Sequence, residues 1–118
     1  MRPNPTPQEE PTDAEGFNQR GNQYSRTGVY QRAIEAYTRA VELDPTYAEA
    51  FYNRGVSYYE LNQYDLAISD LSRAIELDPT EDTYYGRRSL AYLFTDQLEK
   101  AQEDQDKCEE LRFRDQGQ

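Results

Sequence analysis

The sequence predicts an all-α fold, a right-handed αα superhelix in which three helix-turn-helix repeats, six helices in all, stack into a solenoid. The first observation is internal repetition, because residues 30–46 align with residues 64–80 at a constant offset of 34 residues. The second is the helical spacing of apolar and small side chains within a unit, for example Phe51, Gly55 and Tyr58. A fixed period of this size is typical of stacked supersecondary units.

The composition favours stacked helices over a deep globular core. The chain has 118 residues, of which 36% are hydrophobic, and it contains 11 Tyr, 4 Phe and no Trp. This length suits one small domain, and the large apolar side chains are mainly aromatic. Because Tyr buries a large ring while its hydroxyl stays at a wet edge, it suits thin interfaces between helices.

Each unit is predicted to form two helices joined by a short turn. Gly28, Asn62 and Asp96 occupy matching places between the helices, and these residue types best tolerate a left-handed backbone. Pro45 and Pro79 follow the second helices, which a proline cannot continue. The predicted helices span residues 14–27, 30–43, 48–61, 64–77, 82–95 and 98–111.

Two capping boxes are expected to open first helices. Thr12 with Glu15, and Thr46 with Glu49, have the spacing at which a hydroxyl and a carboxylate satisfy the first backbone N–H groups of a helix.

The two ends of the chain differ in composition from the repeats. Residues 1–12 hold four of the six prolines, and residues 114–118 carry no helical pattern. We expect both segments to be disordered tails, because they cannot bury enough apolar surface to fold. The repeats are then predicted at residues 14–47, 48–81 and 82–113, within a domain of residues 13–113.

The charge and the missing residue types exclude several classes of function. The net charge of -10 disfavours nucleic acid and anionic membranes as partners. The chain has no His and a single Cys, Cys108, so the commonest general base and an internal disulfide are both absent. No segment is apolar enough for a signal peptide or a membrane span, and we expect a cytoplasmic location.

No enzyme activity, cofactor or metal site is predicted. The glycines Gly21 and Gly55 lie inside predicted helices and form no phosphate-binding loop. The last helix carries an acidic run that is interpreted as a solvated face, since no loop converges its oxygens on a cation. This run consists of Asp104, Asp106, Glu109 and Glu110.

The repeated residues resemble the pattern of tetratricopeptide repeat proteins: a large aromatic residue, Leu-Gly and Tyr, followed by Ala, an aromatic residue, Ala and Pro. The first unit offers Phe17, Arg20, Gly21, Tyr24, Ala33, Tyr37, Ala40 and Pro45. The second offers Phe51, Arg54, Gly55, Tyr58, Ala67, Leu71, Ala74 and Pro79. The third is degraded, with Tyr85, Arg88, Ser89, Tyr92, Ala101, Gln105, Cys108 and Phe113. All three units carry Arg where the family pattern has Leu, and the likeness covers residues 14–113.

Small residues at matching positions predict a close approach of paired helices. Gly21 and Gly55, together with alanines of the second helices, leave room for neighbouring backbones, and aromatic side chains fill the space between successive pairs. Tyr24 and Tyr58 are therefore expected in the core.

The last helix is predicted to cap the array, so that three units are complete without a fourth. Gln102 and Glu109 stand where earlier repeats carry the apolar residues expected to face the following unit, namely Ile34, Val41, Ile68 and Ile75. A narrow stripe is expected to pack inward, consisting of Leu98, Ala101, Cys108 and Leu111.

The resemblance implies that the first helices of the units line a concave groove for a peptide or protein segment. Carried over onto this sequence, the polar groove residues are Asn22, Asn53 and Arg87. The apolar groove residues are Tyr52, Val56, Tyr59, Leu90, Leu93 and Phe94. An exposed apolar strip of this kind favours a partner, with packing inside the third unit as the alternative.

Two other functions compete with a peptide-binding scaffold. One is a structural or homo-oligomerisation module; a monomer is expected, with a homodimer as the alternative. The other is a clamp for acidic chaperone tails, a function that the resemblance implies for one branch of the family. Asn22, Asn53 and Arg87 match that clamp, but Asn18 and Thr83 stand where it has two Lys, which removes most of its positive charge.

Overall fold

The computed structural model describes residues 10–114, and within this range the secondary structure consists of six α-helices. They are α1 Ala14–Arg26, α2 Tyr30–Leu43, α3 Ala48–Glu60, α4 Tyr64–Leu77, α5 Asp82–Phe94 and α6 Leu98–Phe113. Most of the two predicted tails, residues 1–9 and 115–118, lies outside the described residues. The all-α solenoid of three helix pairs is confirmed.

The helices pack in chain order. Within each repeat α1 packs on α2, α3 on α4, and α5 on α6, while α2 contacts α3 and α4 contacts α5 between repeats. The first helices of successive repeats also touch, α1 with α3 and α3 with α5. These three helices consequently form one continuous face of the solenoid.

The turns between paired helices use the residues that the sequence indicates. Gly28 has φ 78°, Asn62 has φ 63° and Asp96 has φ 62°, all in the left-handed region. The residue after each turn donates its backbone N–H to a tyrosine carbonyl at 2.9 Å, as Val29 does to Tyr24. This pairing satisfies carbonyls that the helix end leaves without an intrahelical partner.

The two predicted capping boxes are wrong. Helix α1 is capped by Asp13, whose carboxylate accepts from the Gly16 backbone N–H at 2.9 Å. Helix α3 has no side-chain cap, because its N-cap residue is Tyr47 and not Thr46; the Thr46 hydroxyl donates to the Asp44 carboxylate at 2.7 Å. Both helices therefore begin one residue later than the predicted capping boxes require.

The core is built mainly from alanine and a few large side chains. Tyr37 and Leu71 are fully buried in the first and second repeats, and Cys108 is buried in the third. The alanines at 0% exposure are Ala33, Ala40, Ala50, Ala67, Ala74 and Ala91. Their small side chains let the helices approach closely, so that little apolar sequence is needed to exclude water.

Several core expectations need correction. Tyr24 and Tyr58 are only half-buried; Tyr58 lies beside an arginine, with the Arg54 guanidinium 5.9 Å from its ring centre. Leu98 is exposed and Leu111 only half-buried, so the inward stripe of α6 differs from the prediction. The buried residues of α6 are Ala101, Asp104 and Cys108.

Asp104 is buried because it pairs with an arginine, and it is not part of a solvated acidic face. Arg88 Nε and Nη2 donate to the two Asp104 oxygens at 2.7 and 2.8 Å. One repeat earlier, Arg54 holds Asp70 with the same two atoms at the same two distances. These bidentate pairs join the two helices of a repeat. Arg54 and Arg88, which replace the family's Leu in the second and third repeats, therefore each have a partner in the following helix.

Candidate functional site

The predicted groove residues all lie on α1, α3 and α5, the helices that form the continuous face. Within residues 10–114 no helix is long and apolar enough to cross a bilayer. Three groups of side chains follow one another along this face. They are an asparagine network at α1 and α3, a cavity between α3 and α5, and an aromatic cluster near the end of α5.

The asparagine network occupies the first part of the face. Asn53 donates to the Asn18 carbonyl at 3.0 Å, and Asn18 donates to the Tyr47 hydroxyl at 3.3 Å. Asn22 accepts from the Tyr37 hydroxyl at 2.6 Å. The amide groups of Asn22 and Asn53 are thus oriented by internal hydrogen bonds, and Asn22 keeps its NH₂ for a ligand carbonyl or carboxylate.

The second group surrounds a cavity of about 360 Å³, which we call the groove cavity. Three predicted site residues, Tyr52, Arg87 and Leu90, line it together. The other lining residues are Thr83, Gly86, Gln105, Cys108 and Arg112. Gly86 has no side chain to fill the groove cavity, and a Cβ added there would lie 3.3 Å from Cys108 Sγ.

Arg87 is the polar residue best placed to hold a ligand. Among residues 10–114 it makes no hydrogen bond or ion pair, although it is half-buried at the wall of the groove cavity. Its planar guanidinium carries five N–H donors and a positive charge. Across the cavity, Arg112 donates to Asp82 at 3.3 Å and to Cys108 Sγ at 3.2 Å.

Tyr52 is held by a second tyrosine. The rings of Tyr52 and Tyr84 lie with centres 5.0 Å apart, tilted by 31°. Burial, followed by the negative charge of Asp78 and Glu81, raises the pKa of Tyr84 to about 12. The Tyr84 hydroxyl therefore stays protonated in the physiological range.

The third group is the aromatic cluster of Tyr59, Tyr64 and Phe94. Tyr64 and Phe94 are stacked, with ring centres 4.7 Å apart and planes 3° apart, and Tyr59 meets Phe94 edge-on at 5.8 Å. Burial, together with the nearby Tyr64, raises the pKa of Tyr59. Phe94 is still 60% exposed, so this cluster presents an aromatic surface to solvent.

Two predicted residues stand apart from these groups. Val56 is half-buried on α3, and Leu93 is exposed on α5. Packing within the third repeat does not hide the apolar strip, because Leu90, Leu93 and Phe94 all remain exposed. The expected apolar end of the groove therefore exists as an accessible surface, although its role stays a prediction.

The sequence reasoning missed groove residues that come from second helices. Gln105 and Arg112 of α6 line the groove cavity, and Tyr64 of α4 completes the aromatic cluster. The groove that the family resemblance implied included residues of the first helices only. Tyr64 carried a signal, since an aromatic residue opens the second helix of both complete repeats as Tyr30 and Tyr64.

The three stacked helix pairs define a class, the helical repeat proteins. Three family models match consecutive parts of the chain, one described as a TPR repeat at residues 21–62 and two as tetratricopeptide repeats at residues 48–81 and 82–115. The chain belongs to the tetratricopeptide repeat family. No curated protein sequence matches it significantly.

Solved structures of the same family are similar over most of the chain. The second TPR domain of Spaghetti (RPAP3) bound to the HSP90 peptide SRMEEVD is 33% identical, with 85% of this chain and 93% of that one covered at a TM-score of 0.83. The second TPR domain of human RPAP3 with the HSP70 peptide SGPTIEEVD is 34% identical, covering 83% and 82% at 0.81. MamA is 27% identical, covering 91% and 63% at 0.86.

Proposed function

We propose that this chain is a protein-interaction scaffold that binds a peptide segment along the face formed by α1, α3 and α5. The observation that carries the proposal is the groove cavity, where the half-buried Arg87 stands beside Tyr52 and the exposed Leu90 without a hydrogen-bond partner among residues 10–114. Similar domains with bound chaperone peptides, such as those of RPAP3, support use of this fold for peptide recognition.

The ligand is expected to be mixed in character. A carboxylate or backbone carbonyl would pair with Arg87, which is bidentate toward planar acceptors. Apolar or aromatic side chains would pack on Leu90, Leu93 and the aromatic cluster, where exposed apolar area favours association. The amides of Asn22 and Asn53 would hold the peptide backbone.

An acidic chaperone tail is a poorer ligand for this groove than for the two-Lys clamp. Asn18 and Thr83 supply no charge, and Asn18 is already hydrogen-bonded to Asn53 and Tyr47. The net charge of -10 also slows the approach of an acidic peptide. We propose no catalytic step, and we propose a cytoplasmic setting.

A peptide-display selection against the purified chain, at low and high salt, tests the proposal. Arg87→Ala and Leu90→Glu change the groove cavity at positions that are at least partly exposed, so both variants should fold. Arg73→Ala, on α4 and outside the groove cavity, is the matched control. We expect a peptide motif that is enriched on the wild type and on the control but lost on both groove variants. Enrichment that survives both groove substitutions would contradict the proposal.

A further inference from the structure

The aromatic cluster of Tyr59, Tyr64 and Phe94 has one ring face open to solvent. Tyr64 stacks on one face of Phe94, with the two ring planes 3° apart. The centre of the Tyr59 ring lies 5.6 Å from that of Tyr64 and 5.8 Å from that of Phe94, so Tyr59 lies beside the stack and not on top of it. Because Phe94 is 60% exposed, its other face is accessible. The face of an aromatic ring is the negative part of its quadrupole and attracts cations.

The aromatic cluster lies where two helices end. Glu60, which follows Tyr59, is the last residue of α3, and Phe94 is the last residue of α5. A helix C-terminus carries a partial negative charge that favours cations within the last turn. In α1 this turn contains Arg26, at the position that matches Glu60 and Phe94 in the later repeats. The last turns of α3 and α5 hold no basic residue, so any cation there must come from outside the chain.

Two carboxylates strengthen the negative potential beside the exposed ring. Glu60 closes α3, and Asp96 lies two residues beyond the end of α5, in the turn with positive φ. Both side chains are exposed, and within residues 10–114 neither forms an ion pair. The net charge of -10 adds long-range attraction for a basic segment. The surroundings of Phe94 therefore favour a cationic side chain over an acidic or a neutral one.

Arginine is the cation that suits this surface best. Within the chain, the Arg39 guanidinium lies 5.2 Å from the Phe17 ring centre, and that of Arg88 lies 5.5 Å from the Tyr92 ring centre. A planar guanidinium can stack on a ring while its N–H groups donate to a carboxylate, which the compact ammonium group of lysine does less well.

We propose that the exposed face of Phe94 binds an arginine side chain of the partner segment, with the guanidinium stacked on the ring and donating to Glu60. This inference rests on the proposed function, because the aromatic cluster lies on the face formed by α1, α3 and α5, and it names a residue that the bound segment must contain. Arg87 stands seven residues before Phe94 on α5, roughly 10 Å along the helix axis. An extended segment therefore places its arginine about three residues from the acceptor that Arg87 holds.

The test is an NMR titration of the full chain with a blocked tetraarginine peptide, with blocked tetralysine and tetraglutamine as comparison probes. Backbone amide signals at the ends of α3 and α5 report local binding. Phe94→Leu keeps an apolar side chain but removes the ring, and Glu60→Gln removes the charge; each should weaken tetraarginine binding about two- to fivefold. Phe113→Leu and Glu103→Gln, at exposed positions of α6, are the matched controls and should leave the affinity unchanged.

Each outcome decides the inference. Signals that saturate at lower concentrations of tetraarginine than of tetralysine, and that Phe94→Leu and Glu60→Gln weaken, would support it. Equal responses to the two peptides, unchanged binding by Phe94→Leu, or equal weakening by Glu60→Gln and Glu103→Gln would overturn it, since the attraction would then be diffuse.

The experiment separates this inference from the groove proposal. Arg87→Ala should not weaken tetraarginine binding at Phe94, although it should abolish enrichment of the displayed peptide motif. A motif that binds the wild type and Phe94→Leu equally well would overturn the arginine site and leave the proposed function in place. Loss of the motif altogether, with specific tetraarginine binding retained, would contradict the groove proposal alone.

Discussion

At the scale of single residues, Arg54 and Arg88 each tie three helices together. Arg54, on α3, holds Asp70 of its own repeat and reaches Thr38 of the preceding one. The hydrogen bonds to Asp70, opposed in part by burial, raise the pKa of Arg54. A single side chain thus bonds both to the second helix of its own repeat and to the second helix of the preceding repeat, whereas Leu at this position could contact them only by packing.

We predict that Asp70→Ala lowers the free energy of unfolding by about 3 kcal/mol, because it leaves the Arg54 guanidinium without its carboxylate in a mostly buried setting. Urea unfolding at neutral pH measures this. The matched control is Glu76→Ala, which breaks an exposed ion pair with Arg73 on the same helix and should cost at most about 1 kcal/mol. Equal losses for the two variants would show that the Arg54–Asp70 pair is no better than a surface pair.

The repeated arginine was visible in the sequence, but its role was not. The pattern placed Arg20, Arg54 and Arg88 at equal spacing, and the family likeness marked them as departures from Leu. Periodicity did not reveal their partners, because the aspartate sixteen residues later is present after Arg54 and Arg88 but not after Arg20. The pairing therefore did not stand out as a feature of every repeat. Asp104 was then assigned to a solvated face together with exposed neighbours such as Asp106, and only the three-dimensional pairing separates them.

At the scale of helices, the packing of α1 on α2 depends on the small size of Gly21. A Cβ added there would overlap the ring of Tyr37, which is 1% exposed and whose hydroxyl donates to Asn22 at 2.6 Å. Because the ring is buried and its hydroxyl is hydrogen-bonded, moving it away would disturb both its packing and that bond. The sequence predicted that Gly21 permits a close approach, and the structure identifies the side chain that uses the space.

We predict that Gly21→Ala destabilises the chain by about 1–2 kcal/mol, since overpacking outweighs the better helix propensity of Ala. Thermal unfolding followed by circular dichroism measures this. Gly86→Ala is the matched control on α5, where the added Cβ would lie 3.3 Å from the Cys108 sulfur. That contact can relax by a small shift, so this variant should lie within about 0.5 kcal/mol of the wild type. A larger effect at Gly86 than at Gly21 would contradict the packing argument.

Helix positions followed from the period more reliably than helix starts did. The three turn residues with positive φ were predicted because only a few residue types adopt that conformation readily. The capping boxes failed because the helices begin one residue later than that spacing requires, with Asp13 and Tyr47 as the N-cap residues. The Thr-to-Glu spacing alone does not determine which residue becomes the N-cap.

At the scale of the whole molecule, the regular stacking of the repeats explains which groove residues could be predicted from the sequence. A fixed period assigns first helices to one face, and the predicted groove residues do lie on α1, α3 and α5, while their part in binding stays a prediction. That Gln105 and Arg112 line the groove cavity could not be predicted from the sequence, because it depends on how α6 packs against α5 in three dimensions.

The outer face of α6 decides whether the molecule stacks on a copy of itself. Ile34 and Val41 are each 8% exposed on α2, and Val41 packs with Ala50 of the next repeat. Gln102 and Glu109 occupy the matching positions on α6 and are exposed. Burying those two polar side chains without partners would be unfavourable, so the wild-type chain is expected to be a monomer.

We predict that Gln102→Ile/Glu109→Ile converts this face into one that resembles α2 and α4, and that the variant self-associates as concentration rises. Head-to-tail contacts of this type can extend from a dimer to longer assemblies, because both surfaces remain available at the ends. Light scattering across a concentration series measures the mass. Glu103→Ile/Glu110→Ile adds the same two side chains to α6 at the same spacing but out of register with Ile34 and Val41. If the control associates as strongly as the in-register variant, added hydrophobic surface alone explains the result, and the position along the solenoid does not matter. If only the in-register variant associates, the polar side chains Gln102 and Glu109 on α6 are what prevents further stacking.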